Sequence, residues 1–258
     1  MISDKILQYI TEDEKKREYS SPLRMSASGS CQRQIAYKLH KFPSTPLPGR
    51  AILTMDFGNR VEQQLVEFAE KYKDRLKNEF VELEIMKDEI TFEICGQTIT
   101  GHVDGILTNE GEQYLWECKS ITDQGFKFIQ RLGPKEEHLR QATSYMKALG
   151  LKKTIFTYYN RNLAQPLDIK YNFDEKVWRE VEQRFTNVIK STKDVLPDRE
   201  YGPNDKGKLP WQCGYCAFNT KCWPNLELTF DKSGKPVLRN PHGNDEAKTN
   251  TKQRSLNR

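Results

Sequence analysis

Gly101-His-Val-Asp-Gly-Ile-Leu-Thr-Asn-Glu-Gly-Glu-Gln-Tyr-Leu-Trp-Glu-Cys-Lys119 is the segment around which the rest of the chain is organised. Its β-branched and aromatic residues on either side of Asn109-Glu110-Gly111-Glu112 predict two strands joined through a turn. Side chains alternate along a strand, so Leu115, Glu117 and Lys119 share one face of the second strand. Tyr114, Trp116 and Cys118 take the other. Asp104, on the preceding strand, has a register that brings its carboxylate beside Glu117. Two carboxylates and an ammonium therefore converge at one end of the hairpin. A solvated hairpin with an ordinary Glu-Lys pair is the plainer reading of the same residues. The richer one is a site for metal-assisted phosphodiester hydrolysis, in which hard oxygen ligands hold Mg²⁺ or Mn²⁺ and the lysine orients water or offsets developing charge.

Working outward, residues 1–20 predict an amphipathic helix carrying Ile2, Ile6, Leu7 and Ile10. Ser-Ala-Ser-Gly-Ser at 26–30 breaks that pattern and offers a cap to a second helix, which Cys31 opens. A Pro-rich link at 43–48 leads to a helix over 57–72, with Val61, Leu65, Phe68, Ala69 and Tyr72 as its apolar stripe and Glu62 just off it. Strands follow at 80–85 and 91–95. Beyond the hairpin come a helix over 136–149 closed by Gly150, strands at 153–160 and 168–173, and a long helix over 174–195. Strand, helix, strand around Glu-x-Lys implies a right-handed crossover and a partly parallel sheet. On the helix over 136–149, Gln141 and Tyr145 lie one turn apart and project together, and the helix alone reads Tyr145 as half in the core.

Composition narrows the class. Charged residues make up 30% of the chain and mean hydropathy is −0.80, so a water-soluble domain is expected. No apolar run approaches a membrane span, and the opening Met-Ile-Ser-Asp-Lys lacks the features of a secretory signal, so the expectation is a cytoplasmic protein without membrane contact. The net charge of +5 is unevenly spread: residues 231–258 hold seven Lys/Arg against three acids, so that tail supplies most of it and reads as disordered.

Six cysteines in an intracellular chain argue against a disulfide framework. Cys95 and Cys118 read as buried small hydrophobes in apolar strands. Cys31 and the compact run Cys213-Gly-Tyr-Cys216-Ala-Phe-Asn-Thr-Lys-Cys222 remain, and their spacing fits a metal, either an iron-sulfur cluster or zinc.

Taken together, Gly58-x-x-x-Glu62, Gly101-His-Val-Asp104, Glu117-Cys-Lys119, Gln141-x-x-x-Tyr145 and the early cysteine with its Cys-x2-Cys-x5-Cys trio resemble the RecB-type branch of the PD-(D/E)XK nucleases. Within it they resemble the iron-sulfur exonucleases: CRISPR-associated RecB-like enzymes, their phage relatives, the AddB nuclease domain and a eukaryotic single-strand exonuclease. The resemblance spans Cys31 to Cys222. It implies an α/β, restriction-endonuclease-like core, a mixed central sheet flanked by helices, over 57–196. It also implies a [4Fe–4S] cluster on Cys31, Cys213, Cys216 and Cys222, zinc being the lesser alternative, which clamps an N-terminal helical segment (1–56) to a C-terminal one (197–230).

In that reading Asp104, Glu117, Glu62 and the backbone carbonyl of Cys118 hold Mg²⁺ or Mn²⁺. Lys119 orients the attacking water, and Gln141 positions Lys119 or the phosphate. Many RecB-like members have histidine where this sequence has Glu62; phage-type exonucleases of the wider superfamily have glutamate. The Gln-x-x-x-Tyr match moves Tyr145 from the core to a place beside the DNA, with Tyr158 or Tyr159 as further stacking surfaces. The implied activity is a single-stranded DNA exonuclease of repair, recombination or CRISPR spacer processing, phage-encoded or prokaryotic, acting on DNA ends alongside a helicase, recombinase or CRISPR integrase. The alternative is a catalytically inactive nuclease fold that binds DNA or a partner.

Overall fold

The computed structural model describes residues 2–14, 21–79, 81–205, 207–231 and 236–239. In chain order the first elements are α1 (Ile2–Glu14), a 3-10 turn (Met25–Ala27), α2 (Gln32–Leu39) and α3 (Gly49–Asn78). Strands β1 (Val81–Ile85), β2 (Ile90–Ile94), β3 (Gln97–Gly101), β4 (Gly105–Asn109) and β5 (Glu112–Ile121) follow. Then come α4 (Asp123–Leu132), α5 (Glu136–Leu149), β6 (Lys153–Asn160), β7 (Gln165–Asn172) and α6 (Glu175–Ile189). The chain closes with α7 (Trp211–Gly214), α8 (Asn219–Cys222), β8 (Glu227–Phe230) and β9 (Pro236–Arg239). Two compact units result: Tyr19–Leu39 with Thr54–Pro197, and Met1–Glu18 with His40–Leu53 and Asp198–Arg258.

The larger unit is built on a five-stranded sheet of order β1-β4-β5-β6-β7. The hairpin β4–β5 is antiparallel, and its turn places Glu110 at φ 52° and Gly111 at φ 80°. Two successive left-handed residues match the strands' twist, which is why a glycine at the second position suits this turn. β5 and β6 run parallel, with Glu117 beside Phe156 and Lys119 beside Tyr158. The crossover expected from the sequence is therefore present, and it contains α4, a helix not expected from the sequence, ahead of α5. Thr122 caps α4 by accepting a hydrogen bond from the Gly125 amide at 3.2 Å.

α5 is buried over five consecutive residues, Ala142 to Met146, because it is packed between the sheet on one side and α6 on the other. From α6, Trp178, Val181, Phe185 and Val188 face this core at helical spacing, and Phe92 of β2 meets the Trp178 ring edge-on at 5.3 Å. Phe126, Phe156 and Met146 are sealed within the same core, each worth about 1.5–3 kcal/mol of transfer free energy. Gly150 ends α5 at φ 70°.

Several expectations change. Residues 101–104 do not belong to the strand carrying the hairpin: Gly101 ends β3, and Asp104 lies in the link just ahead of β4. α3 begins at Gly49 rather than 57, and its expected stripe is rotated, since Phe68 is 49% and Tyr72 42% exposed whereas Glu62 is half-buried. Cys95 is exposed, not buried, because it takes φ 51° in the turn between β2 and β3. Cys118 is fully buried.

The smaller unit has its own core of Leu209, Cys213 and Leu238, with Trp223 and Leu228 packed around it. Arg199 stacks over Trp223 at 4.4 Å and donates to the Cys222 carbonyl at 2.7 Å. β9 pairs antiparallel with β8 and buries Leu238, so Pro236–Arg239 of the supposed tail is ordered strand. Residues 232–235 and 240–258 lie outside the described residues. No helix among the described residues is long and apolar enough to cross a membrane.

Candidate active site

The site forms where β4 stops covering β5. β4 pairs with β5 only as far as Gly105 opposite Trp116, so the next amides along that edge of β5 need other acceptors. Two carboxylates supply them. Asp104 Oδ2 accepts from the Cys118 amide at 2.7 Å, and Glu62 Oε1, reaching in from α3, accepts from the Ser120 amide at 2.7 Å. Each acid keeps its second oxygen outside any hydrogen bond among the described residues. Between them, on the opposite parity of β5, stand Glu117 and Lys119.

Glu117 is 2% exposed. Its Oε1 accepts from the Lys119 ammonium and from Gln141 Nε2 of α5, the latter at 2.9 Å. Its Oε2 is buried and has no hydrogen-bond partner among the described residues. An orphaned carboxylate oxygen inside a protein is costly unless something absent from the polypeptide meets it.

The electrostatics point the same way. Burial pushes Glu117 up to about 7, against the pull of Lys119 and with the help of Asp104 and Glu62. Burial likewise raises Glu62 and Asp104, and the Lys119 ammonium and the β5 amides offset this incompletely. Burial alone would lower Lys119, but Glu117, Glu62 and Asp104 outweigh it and hold the ammonium above its ordinary value. Three acids crowd one lysine, so a further cation is the missing balance. The donors are all hard oxygens, which suits Mg²⁺ or Mn²⁺. Among the described residues no three His, Cys, Asp or Glu side chains are drawn together tightly enough to form a ready-made metal cage.

Gln141 contacts Glu117 and Tyr145, where the sequence reading had it positioning Lys119 or the phosphate. Its Nε2 lies 2.9 Å from Glu117 Oε1 and 3.1 Å from the Tyr145 hydroxyl. Tyr145 itself is 2% exposed and Tyr158 is fully buried, so neither can stack on a nucleobase. The Tyr145 ring therefore lies in the core rather than beside DNA, and its hydroxyl meets Gln141. Of Cys118, the amide is the group seen engaged, through Asp104. The sequence reading missed His138, one turn before Gln141, whose Nδ1 lies 2.9 Å from the Tyr158 hydroxyl. Its i, i+3 spacing to Gln141 was the available signal.

The sequence model of the PD-(D/E)XK nuclease superfamily matches residues 16–223, a span holding all of these side chains. This chain belongs to the PD-(D/E)XK nuclease superfamily. Among solved structures, this nuclease is similar to SSO0001, with TM-score 0.51 and 15% identity over 86% of this chain and 96% of that one. That likeness is one of fold. An alkaline exonuclease (LHK-Exo) from Laribacter hongkongensis aligns with TM-score 0.44 and 14% identity over 70% of this chain and 90% of its own. A phage-related exonuclease from Haemophilus somnus 129PT aligns with TM-score 0.41 and 10% identity over 66% and 92%. No curated protein matches the nuclease's sequence.

The four cysteines expected to form a cluster fall in both units: Cys31 in the larger, and Cys213, Cys216 and Cys222 in the smaller. None of the six cysteines is in a disulfide. Cys31 directly precedes α2, and its carbonyl accepts from the Ile35 amide at 3.1 Å. In the trio, the Cys216 amide donates to the Cys213 carbonyl at 3.2 Å, and the Phe218 amide approaches the Cys216 sulfur at 3.5 Å. An amide aimed at sulfur favours a thiolate, the form a metal binds.

Proposed function

We propose that this nuclease is a divalent-metal-dependent DNA exonuclease acting on single-stranded DNA ends, with Glu62, Asp104 and Glu117 as metal ligands and Lys119 beside the reacting phosphate. The observation that carries the reading is the buried Glu117 Oε2, without a hydrogen-bond partner among the described residues, with two further carboxylates pinned to the same strand edge. When bound, Mg²⁺ or Mn²⁺ supplies Lewis acidity to the phosphate and acidifies water. The chain supplies the rest. Asp104 and Glu62 are preorganised because each spends one oxygen on a β5 amide and so loses little freedom when the other is used. Gln141 holds Glu117 in one orientation. Lys119, protonated among the acids, turns its ammonium toward the nucleophilic water and the phosphate as the water oxygen bonds to phosphorus and a P–O ester bond breaks.

The preference for single-stranded DNA ends is supported by the motif resemblance. So is a [4Fe–4S] cluster on Cys31, Cys213, Cys216 and Cys222, to which the amide-to-sulfur approach at Cys216 adds a physical reason.

Digestion of end-labelled single- and double-stranded DNA with Mg²⁺, Mn²⁺ or EDTA tests the activity. Stepwise shortening of single strands, abolished by EDTA, is expected. Glu117→Ala and Lys119→Ala should each lower kcat by about a thousandfold with DNA affinity retained, because their work is done on developing charge. Full activity in both purified variants would overturn the site.

A further inference from the structure

Beyond Glu117, Lys119 and Gln141, one polar pair next to the site has no part in the chemistry above. Tyr158 of β6 is the register partner of Lys119 on β5, and its side chain is fully buried. Among the described residues, the sole hydrogen-bond partner of its hydroxyl is His138 Nδ1, at 2.9 Å. The two rings also lie against each other, 5.6 Å between centroids.

This geometry fixes the imidazole's tautomer. A phenol sealed from water must give its proton to a neighbour or leave a buried donor unsatisfied. His138 Nδ1 is the acceptor available, so Nδ1 carries a lone pair and the proton of the neutral ring sits on Nε2. Burial, with Lys119 and Lys135 nearby, holds the imidazolium form far below its usual range, in keeping with that neutral state. Nε2 is neither hydrogen-bonded within the described residues nor sealed from solvent. His138 also sits one helical turn from Gln141, on the face of α5 that addresses β5 and β6.

We propose that His138, locked by Tyr158 as the Nε2–H tautomer, is a substrate-contacting residue that donates a neutral hydrogen bond to a non-bridging phosphate oxygen of the DNA strand beside Lys119. This deepens the nuclease reading and rests on it for the identity of the ligand. A neutral donor suits that place: it recognises a phosphate oxygen without adding charge that would compete with a metal ion for the three acids.

Two measurements test it separately from catalysis. Proton–nitrogen correlation NMR of the labelled protein, with His138 assigned by its loss in His138→Gln, should show Nε2 protonated and Nδ1 bare at neutral pH. Tyr158→Phe should release the ring into a mixture of tautomers. Adding a short oligothymidylate with Ca²⁺ should shift the His138 Nε2 signal, with no shift when inorganic sulfate is used at matched ionic strength. In turnover assays run at a temperature where each variant is fully folded, His138→Ala should lower kcat/KM roughly tenfold, the scale of one hydrogen bond, and should also lower Tm, because the buried Tyr158 hydroxyl loses its acceptor. His138→Gln, which keeps an N–H donor, should recover most of that loss. A protonated Nδ1, a His138 signal indifferent to the oligonucleotide, or a His138→Gln variant no better than His138→Ala when both are fully folded would each overturn the proposal. A wild-type protein that cleaves no DNA would instead sink the nuclease reading, and the tautomer and oligonucleotide measurements would still decide the role of His138.

Discussion

Gln141 Nε2 donates to Glu117 Oε1 at 2.9 Å while Glu117 Oε2, in the same buried carboxylate, meets no donor among the described residues. One oxygen is held by the polypeptide and the other is left to something the polypeptide lacks. Gln141 thus sets the direction in which the open oxygen faces. Gln141→Ala should leave the fold intact, lower kcat by about tenfold to a hundredfold and weaken Mn²⁺ affinity, because supporting partners of a ligand have effects of that order. Kinetics at saturating DNA over a Mn²⁺ series would check it; a variant with wild-type metal dependence would separate Gln141 from Glu117.

The acids also make stability depend on pH. Glu117 stands near 7 in the folded protein against an ordinary 4.5, so between those values the folded state holds a proton that the unfolded chain has released. Stability of the metal-free protein must therefore fall as pH rises through this window, by up to on the order of 3 kcal/mol from Glu117 alone. Glu62 and Asp104 are shifted in the same direction and add to the slope. Thermal melts in EDTA from pH 5 to pH 8, roughly the range those two values bracket, should show a declining Tm that Mg²⁺ restores at the upper end and that Glu117→Gln flattens. A flat profile for the wild-type protein in EDTA would contradict the burial of an unbalanced carboxylate.

Gly101 is a second test of the same corner. A methyl group there would come within 2.7 Å of Tyr145 Cε1 and 3.0 Å of Met25 Sδ, and the Tyr145 hydroxyl is the neighbour of Gln141. Gly101→Ala should cost about 1–3 kcal/mol by overpacking and lower activity through the displaced tyrosine. Chemical denaturation and turnover of the variant would show both effects; unchanged stability would mean the corner yields freely.

For the cysteines, anaerobically purified protein should be brown and contain iron with acid-labile sulfide. Cys31→Ala or Cys213→Ala should lose the colour and much stability. A bond network closing so long a loop is worth on the order of 5 kcal/mol by a chain-entropy estimate. Cys95→Ala, exposed in its turn, should change neither. Stoichiometric zinc without sulfide in protein never exposed to air would reject the iron-sulfur assignment and spare the nuclease site.

Because β9 is paired and Leu238 is buried, a fair test of the basic tail removes only residues 241–258. That truncation should weaken DNA binding at low salt, reduce the salt slope, and leave turnover at saturating DNA unchanged. Lost turnover would place the tail in the site.

By itself the sequence determined what is local or periodic. The alternation along β5 placed Glu117 and Lys119 on one face, the Glu110-Gly111 turn set the hairpin, and Gly150 ended α5, since each depends on neighbours a few residues away. The order of elements around Glu-x-Lys also gave the parallel β5–β6 pair, because a crossover of that length leaves little choice. Tertiary structure decided what depends on distant partners. Helical spacing could not say which side of α3 faces the core, so Phe68 and Tyr72 read as buried and Glu62 as marginal, whereas packing turns Glu62 to the Ser120 amide. Aromatic character could not say whether Tyr145 and Tyr158 meet DNA or the core; burial between sheet and helix settles it, and turns their hydroxyls toward Gln141 and His138. Nor could any local rule show that β4 ends at Gly105, and it is that early end which leaves two amides of β5 for carboxylates to hold.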